Sequence, residues 1–285
     1  MNSKFSRKDK AKEIYDKVVN NVQKIINDGE YEKYLKFQKN FTQYSFNNRI
    51  LIYGQFPNAT KVAGKEAWRN VGREVIAPEH AHPIQIIAGM PKTGKRKVKK
   101  LKDGEEVEEN VTYHYTAFKT VYVYDISETI GEPIPLEKKT IDSDNMVDFY
   151  EKLKIFSKYP IIERELDGNC LGFFDSIRNE ITIEKNLHTD SKVTTLLHEL
   201  VHGLYDKFDY KKDKNLSEIF VESIAFIVSD YFGLDNSAFS FNYITDYSKG
   251  NPKVIVELGP KIQDCAQKLI EDIEKFEMQE LELAA

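Results

Sequence analysis

Apolar residues recur at helical spacing over the first part of the chain. Residues 11–27, 31–37 and 45–53 each predict an amphipathic helix. On the first of these, the apolar side chains share one face: Ile14, Val18, Val22, Ile25 and Ile26. Residues 84–88 and 112–124 are instead rich in β-branched and aromatic side chains, which predicts strands.

The second half of the chain alternates the same two kinds of pattern. Residues 144–158 and 260–282 predict amphipathic helices, and Pro260 suits a first helical position, where no N–H partner is needed. Residues 170–174 and 180–184 predict two strands of a small antiparallel sheet. Together with the N-terminal elements, these patterns predict an α+β fold.

The most informative motif of the second half is His198-Glu199-Leu200-Val201-His202, which lies inside an apolar helical pattern that begins near residues 189–191. Residues four apart lie on the same side of a helix, so both imidazoles point in one direction. This spacing suits a single zinc ion, and Glu199 is placed to act on a water molecule beside it. We therefore predict one Zn²⁺ per chain and metal-assisted hydrolysis of an amide, with Glu199 as the general base.

A zinc site of this kind needs a third protein ligand, and the helix predicted over residues 217–228 offers two carboxylates, Glu218 and Glu222. A carboxylate in so apolar a helix is costly unless it is paired or binds a metal. The two glutamates could also lie on a polar surface stripe. We favour Glu218 as the third ligand and Glu222 as the acceptor that orients a ligating imidazole. Asp206, one turn beyond His202, fits either a site role or a surface role.

Charge divides the chain into two parts. Residues 1–139 contain 25 basic and 18 acidic residues, a net charge of +7, whereas residues 140–285 contain 16 and 28, a net charge of −12. Residues 131–139 hold two prolines and several charges, which is typical of an extended connector. We predict domains at residues 1–135 and 140–285.

The composition also bears on location. No apolar run approaches the roughly 20 residues that a membrane-spanning helix needs. The first residues have no apolar segment of the secretory kind, and Cys170 and Cys265 form no C-x-x-C pair. These features favour a cytoplasmic protein.

The basic half offers candidate nucleic-acid contacts. Residues 92–102 contain seven cationic side chains and precede the acidic segment 105–109; they fit either a solvated hairpin extension or a flexible arm that follows phosphates. Single-stranded DNA binding needs cations and exposed aromatic faces, although aromatic residues also build cores. Our candidate DNA-binding residues are Tyr44, Phe46, Asn48, Arg49, Lys65, Trp68, Arg69, Lys95, Arg96 and Lys97.

These residues together carry a family resemblance. The spacing His198-Glu199-x-x-His202 and Glu218-x-x-x-Glu222 resembles the gluzincin arrangement, and within it the ImmA/IrrE-like metallopeptidases and the ArdC-type antirestriction proteins. Residues 172–183 and 232–244 resemble the segments that flank this site in the family, and residues 44–52 and 64–68 resemble its single-stranded-DNA-binding domain. One departure is Ser217, where relatives often have a glutamate.

The resemblance implies an N-terminal α+β single-stranded-DNA-binding domain followed by a zincin-like metallopeptidase domain, in which a small antiparallel sheet packs on the motif helices. It also implies antirestriction on a mobile genetic element, with protection of incoming DNA during conjugation. Two alternatives stay open. One is a DNA-binding protein with a catalytically silent zinc domain, and the other is a regulatory peptidase that cleaves repressors.

Overall fold

The computed structural model describes residues 7–77, 80–102, 105–134, 146–234 and 252–284. The fold is mixed α+β, as predicted. The chain divides into two compact units. One combines Met1–Pro57 with Ile134–Ala285, and the other is Asn58–Pro133. These units differ from the predicted division at residues 135–140, because the first 57 residues group with the C-terminal part.

Three helices open the chain: α1 (Arg7–Asn27), α2 (Tyr31–Gln38) and α3 (Phe46–Gln55). Their apolar faces are buried, including Val18, Val22, Ile25 and Ile26 of α1. Gly29 ends α1 in the left-handed region at φ 65, and the Glu30 N–H returns to the Ile25 carbonyl. This closing bond is the usual glycine-dependent helix stop.

Besides a 3₁₀-helix at Ile126–Glu128, the unit of residues 58–133 consists of one short α-helix and five strands. In chain order these are β1 (Val62–Ala63), α4 (Lys65–Asn70), β2 (Arg73–Val75), β3 (Ile84–Lys102), β4 (Glu105–Asp125) and β5 (Thr129–Gly131). One sheet has the order β1-β4-β3, and β2 pairs with β5. All of these pairs are antiparallel.

The two predicted strands of this unit are the base of a much longer hairpin. The whole of β3 pairs with β4, from Ile84 opposite Val123 to Lys102 opposite Glu105. The cationic run at residues 92–102 therefore belongs to a strand, in agreement with the hairpin interpretation.

The C-terminal part builds the scaffold of the HExxH motif. It contains α5 (Met146–Phe156), β6 (Ile161–Arg164), β7 (Gly172–Asp175), β8 (Glu180–Glu184), α6 (Thr189–Tyr205), α7 (Tyr210–Tyr231) and α8 (Lys253–Ala284). The sheet order is β6-β8-β7; β7 and β8 are antiparallel as predicted, and β6, which was not predicted, runs parallel to β8. Residue Asp213 interrupts α7 with a non-helical conformation, so Ser217–Val228 lies in its second segment.

The start predicted for the last helix is wrong. α8 begins at Lys253, and Pro260 lies inside it. A proline there removes one helical hydrogen bond at a cost of about 3 kcal/mol. Burial of apolar residues on both sides of Pro260, including Ile255, Leu258 and Ile262, offsets this cost.

The apolar face of α6 anchors the motif. Val193, Leu196, Leu197, Leu200 and Val201 are all buried, and α6 contacts α5, α7, β7 and β8. This packing fixes the rotation of the helix and directs the opposite face, with both histidines, toward α7. Within the described ranges, no helix is both long and apolar enough to cross a membrane.

Candidate functional site

Two helices bring three candidate metal ligands together. His198 and His202 project from α6, and Glu218 projects from the second segment of α7. Glu218 Oε2 lies 3.6 Å from His198 Nε2 and 4.0 Å from His202 Nε2, and the two Nε2 atoms are 3.2 Å apart. One ligand atom from each residue falls within 4.8 Å of the others, so the three could hold one ion.

His198 is held in the form that binds metals, and a hydrogen-bond partner orients His202. Burial, followed by the neighbouring His202, lowers the pKa of His198 to about 3, so its imidazole stays neutral. His202 Nδ1 lies 2.9 Å from Asp206 Oδ2. When Nδ1 donates its proton to Asp206, the lone pair on Nε2 points toward the other ligands.

Asp206 is the carboxylate that orients His202. Its Oδ2 also accepts a hydrogen bond from Ser217 Oγ at 2.5 Å, and its Oδ1 accepts from the Phe208 N–H at 3.0 Å. For His202, the orienting hydrogen bond that the sequence predicts for Glu222 is therefore made by Asp206. Ser217, the departure from the family pattern, braces this carboxylate from α7.

Glu199 lies beside the candidate ligands and is not part of the group that could hold one ion. Its side chain is buried, with 7% exposure, and the Phe174 N–H of β7 donates a hydrogen bond to it. Burial is the main cause that raises the pKa of Glu199 to about 7. A carboxylate held in this way can accept or release a proton near neutral pH.

The second glutamate of α7 has a different environment. Burial, followed by the Glu218 carboxylate one turn away, raises the pKa of Glu222 to about 8. Without a bound metal, burial and the neighbouring carboxylate favour the protonated form of Glu222. Glu218, which lies within reach of both imidazoles, is the better candidate for the third ligand.

The donor set fits a divalent transition metal. Two imidazole nitrogens and one carboxylate oxygen form a set that suits zinc and also manganese. Three protein ligands leave a coordination position for a reactant, whereas a structural zinc site is normally closed by four.

At Gly203, directly after His202, the backbone of α6 comes close to two neighbouring aromatic rings. A Cβ added at Gly203 would lie 2.6 Å from the Tyr159 ring and 3.1 Å from Phe174. The Tyr159 hydroxyl donates to the Gly203 carbonyl at 2.6 Å. Glycine is required here because no side chain fits between α6 and these rings.

The sequence also suggests His188, Tyr205 and Tyr243 as donors to an oxyanion, by residue type alone. His188 caps the start of α6, ten residues before His198. That separation is about 15 Å along a helix, which is too far for a contact. Tyr243 lies outside the described residues.

Several predicted DNA-binding residues are buried. Trp68 is 1% exposed and its Nε1 donates to the Tyr124 carbonyl at 2.9 Å. Phe46, Asn48 and Arg49 are buried in α3, and Arg49 donates to the carbonyls of Thr42 and Tyr44. The prediction that these four side chains face DNA is corrected, since each belongs to a packed core.

The other predicted residues are accessible to different degrees. Tyr44 is half-buried, while Lys65 and Arg69 on α4 and Lys95, Arg96 and Lys97 on β3 are exposed. Arg69 pairs with Glu66 and Lys97 pairs with Glu108, each at an N–O distance below 3 Å. Of the predicted cations, Lys95 and Arg96 keep the most accessible charge on the hairpin.

Known proteins resemble this chain in sequence and in fold. Residues 8–124 match the family model described as the N-terminal domain of anti-restriction factor ArdC. An uncharacterized protein of Bacillus anthracis is 26% identical over an alignment of 313 positions, which covers 94% of this chain and 52% of that protein. The chain thus spans about half the length of this relative.

Two crystal structures of the antirestriction protein ArdC from plasmid R388 share the fold. The metal-free structure has a TM-score of 0.55 and the Mn(II)-bound structure a TM-score of 0.59. Each is 13% identical and covers 91% of this chain and 97% of its own. At this identity the likeness is one of fold.

Proposed function

We propose that this chain, whose residues 8–124 match the N-terminal domain of anti-restriction factor ArdC, is an antirestriction protein with a metal-dependent hydrolytic centre. It acts on a mobile genetic element, where it protects incoming DNA during conjugation. Residues 1–135 supply single-stranded-DNA binding, and residues 140–285 form a zincin-like peptidase domain. The observation that carries the hydrolytic part is the convergence of His198, His202 and Glu218 beside the buried Glu199.

The proposed metal is one Zn²⁺ per chain, held by His198, His202 and Glu218. Two imidazoles and a carboxylate are a ligand set of catalytic zinc sites. The Mn(II)-bound ArdC structure supports a divalent ion, and manganese is the alternative occupant. When bound, such an ion supplies Lewis-acid polarisation of a substrate oxygen.

Asp206, Glu199 and Phe174 would each have a separate role in the reaction. Asp206 keeps the proton of His202 on Nδ1, so Nε2 is available as a ligand. The Glu199 carboxylate takes a proton from the attacking water and delivers it to the leaving nitrogen of the amide. The Phe174 N–H holds this carboxylate in place through both proton transfers.

The first alternative is DNA coating with a silent metal domain, and the second is cleavage of a repressor protein. Glu199 favours retained catalysis over the first. A buried carboxylate is costly, and a purely structural metal site has no need of one that is not a ligand. Both peptidase hypotheses share the same chemistry and differ in the protein substrate.

One variant separates catalysis from DNA coating. Glu199→Gln preserves the size of the side chain and the three ligands but removes the proton acceptor. We expect unchanged zinc content by elemental analysis, and a loss of roughly 10²–10⁴-fold in cleavage of labelled casein, the usual effect of a missing general base. His198→Ala serves as the control that loses the metal itself.

The biological arm of this experiment is conjugal transfer of an unmodified plasmid into a restricting host. Wild-type protein should raise the transfer frequency, and Glu199→Gln should not. Full protection by Glu199→Gln, with intact zinc content, would overturn the hydrolytic proposal in favour of DNA coating.

A further inference from the structure

The middle of the β3–β4 hairpin has an unusual charge. Residues 84–97 and 110–123, which face each other across the two strands, contain no aspartate or glutamate. They contain five cationic residues: Lys92, Lys95, Arg96, Lys97 and Lys119. The acidic residues of this segment of the chain lie at residues 103–109, at the tip of the hairpin, and at Asp125, at its base. The middle is therefore a positive segment on an otherwise acidic chain.

The register sorts the side chains of this segment into two faces. Side chains at paired positions lie on the same face, and alternate positions share a face. Lys92 pairs with Tyr115, Gly94 with Tyr113, and Arg96 with Val111. Lys119, opposite Ala88, lies on this same face. We call the set of Lys92, Arg96, Tyr113, Tyr115 and Lys119 the cationic-aromatic face.

The Tyr113 ring of this face packs against the partner strand. A Cβ added at Gly94 would be 2.6 Å from Tyr113 Cζ, so the Tyr113 ring covers the partner strand at a position that has no side chain. The Tyr113 and Tyr115 rings are 5.7 Å apart with an interplanar angle of 31°. Tyr113 remains 42% exposed, and its ring thus offers a face to solvent.

Cations border the same rings. The Arg96 guanidinium lies 5.9 Å from the centre of the Tyr113 ring, and Lys92 is directly opposite Tyr115. Lys92, Arg96 and Lys119 are all exposed. By contrast, Lys97 on the opposite face is paired with Glu108 at 2.9 Å. Lys95 is also exposed on that opposite face, where it pairs with Thr112, six residues from Phe118, the nearest exposed Phe or Tyr of that face. Lys92 and Arg96, by contrast, lie directly beside Tyr115 and Tyr113.

We propose that the cationic-aromatic face of the hairpin binds single-stranded nucleic acid, with unpaired bases stacked on Tyr113 and Tyr115 and phosphates bound by Lys92, Arg96 and Lys119. Exposed aromatic rings with adjacent cations are the two components that such binding requires. A duplex keeps its base faces covered, and an apolar protein partner would not need the cations. The inference rests on the proposed function and gives it a location on residues other than the buried Phe46, Arg49 and Trp68.

The test measures binding of the full-length protein to fluorescein-labelled dT20 by anisotropy. Tyr113→Ala should weaken binding roughly 5- to 150-fold, the range that follows from about 1–3 kcal/mol for each stacked base. Tyr113→Phe keeps the ring and should bind like wild type. Lys92→Gln should lower the slope of log K against log salt by about 0.7, the value for one phosphate contact on a single strand.

Matched controls carry the same changes elsewhere. Tyr122→Ala removes an exposed tyrosine of β4 from the opposite face, and Lys261→Gln removes an exposed lysine from α8; both should bind like wild type. Circular dichroism and thermal unfolding of each variant exclude loss of folding as the cause. An oligo-rU arm and a duplex arm identify the nucleic acid, and duplex binding as tight as dT20 binding would overturn stacking.

Two failures can be told apart. If the wild-type protein binds no nucleic acid, the proposed single-stranded-DNA function fails, and this inference fails with it. If wild type binds dT20 but folded Tyr113→Ala and Lys92→Gln bind equally well, the function stands and the location on the hairpin is overturned. An equal loss in Tyr122→Ala would also overturn the assignment to one face.

Discussion

Asp206 shows how one side chain can hold a candidate metal site together. It accepts hydrogen bonds from His202 Nδ1 and Ser217 Oγ, and thereby connects α6 to α7, the two helices that supply the candidate ligands. Its other oxygen accepts from the Phe208 N–H, which fixes the turn between the helices. Three donors on one carboxylate leave it little freedom to rotate, and the imidazole that it orients shares that restraint.

We predict that Asp206→Ala lowers zinc affinity by 10- to 100-fold, the range found when an orienting partner of a metal-bound histidine is removed. Competition with a fluorescent zinc chelator measures the change. Asp209→Ala, three residues along the chain, is the control, because its exposed carboxylate pairs with Lys212. Equal affinity in Asp206→Ala and Asp209→Ala would contradict the orienting role.

At the scale of single residues, the sequence predicts well which side chains share a helix face and poorly which side chains are buried. His198 and His202 share a helix face because they are four residues apart, which is a local property. Trp68 is buried because its indole reaches the carbonyl of Tyr124, 56 residues away. Arg49 is buried because its side chain donates hydrogen bonds to the backbone carbonyls of Thr42 and Tyr44. A cluster of aromatic and basic residues in sequence does not distinguish these core roles from a DNA contact.

At the scale of elements, helices are predicted more completely than strands. Periodicity identifies α1, α2, α3, α5 and α6 to within a few residues at each end. The hairpin is longer than predicted because residues 92–102 are polar and gain strand structure from pairing with 105–115. β6 has only four residues and an exposed surface pattern, so its parallel pairing with β8 has no local signature.

The contact between α3 and α8 depends on the absence of a side chain. A Cβ added at Gly259 would overlap the Phe46 ring, whose atoms occupy the space where it would point. We predict that Gly259→Ala destabilises the protein by about 1–3 kcal/mol, the usual cost of overpacking, although alanine favours helices. Urea unfolding measures the difference.

The control for this prediction is a double-mutant cycle. Phe46→Leu removes part of the ring, so Gly259→Ala should cost less in that background than in wild type. If Gly259→Ala instead stabilises the protein by its helix propensity, the close packing of α3 on α8 does not govern this position.

At the scale of the whole molecule, contacts distant in sequence decide which segments belong together. The Tyr31 hydroxyl and Ser223 Oγ are 3.0 Å apart, and Gln263 Nε2 donates to the Tyr44 carbonyl at 2.9 Å. These bonds join α2 and the segment before α3 to α7 and α8. The predicted boundary rests on the change in net charge near residue 139. Net charge along the sequence does not report these contacts, so the predicted boundary differs from that of the compact units.

The division into compact units determines which elements metal binding should stabilise. A ligand that binds only the folded state stabilises it by about 2.7 kcal/mol when present at 100 times its dissociation constant. All three candidate ligands belong to the unit that contains α6 and α7. We therefore predict that Zn²⁺ raises hydrogen-exchange protection in α6 and α7 and leaves the β3–β4 hairpin unchanged.

The measurement is hydrogen exchange by mass spectrometry, with and without Zn²⁺, and with EDTA to reverse the effect. His198→Ala should show no change on adding zinc, since one of the three ligands is gone. Glu199→Gln should respond like wild type, because Glu199 is not one of the three candidate ligands. Protection that rises in the hairpin but not in α6 would place the metal outside the HExxH helix, and a response in His198→Ala equal to that of wild type would do the same.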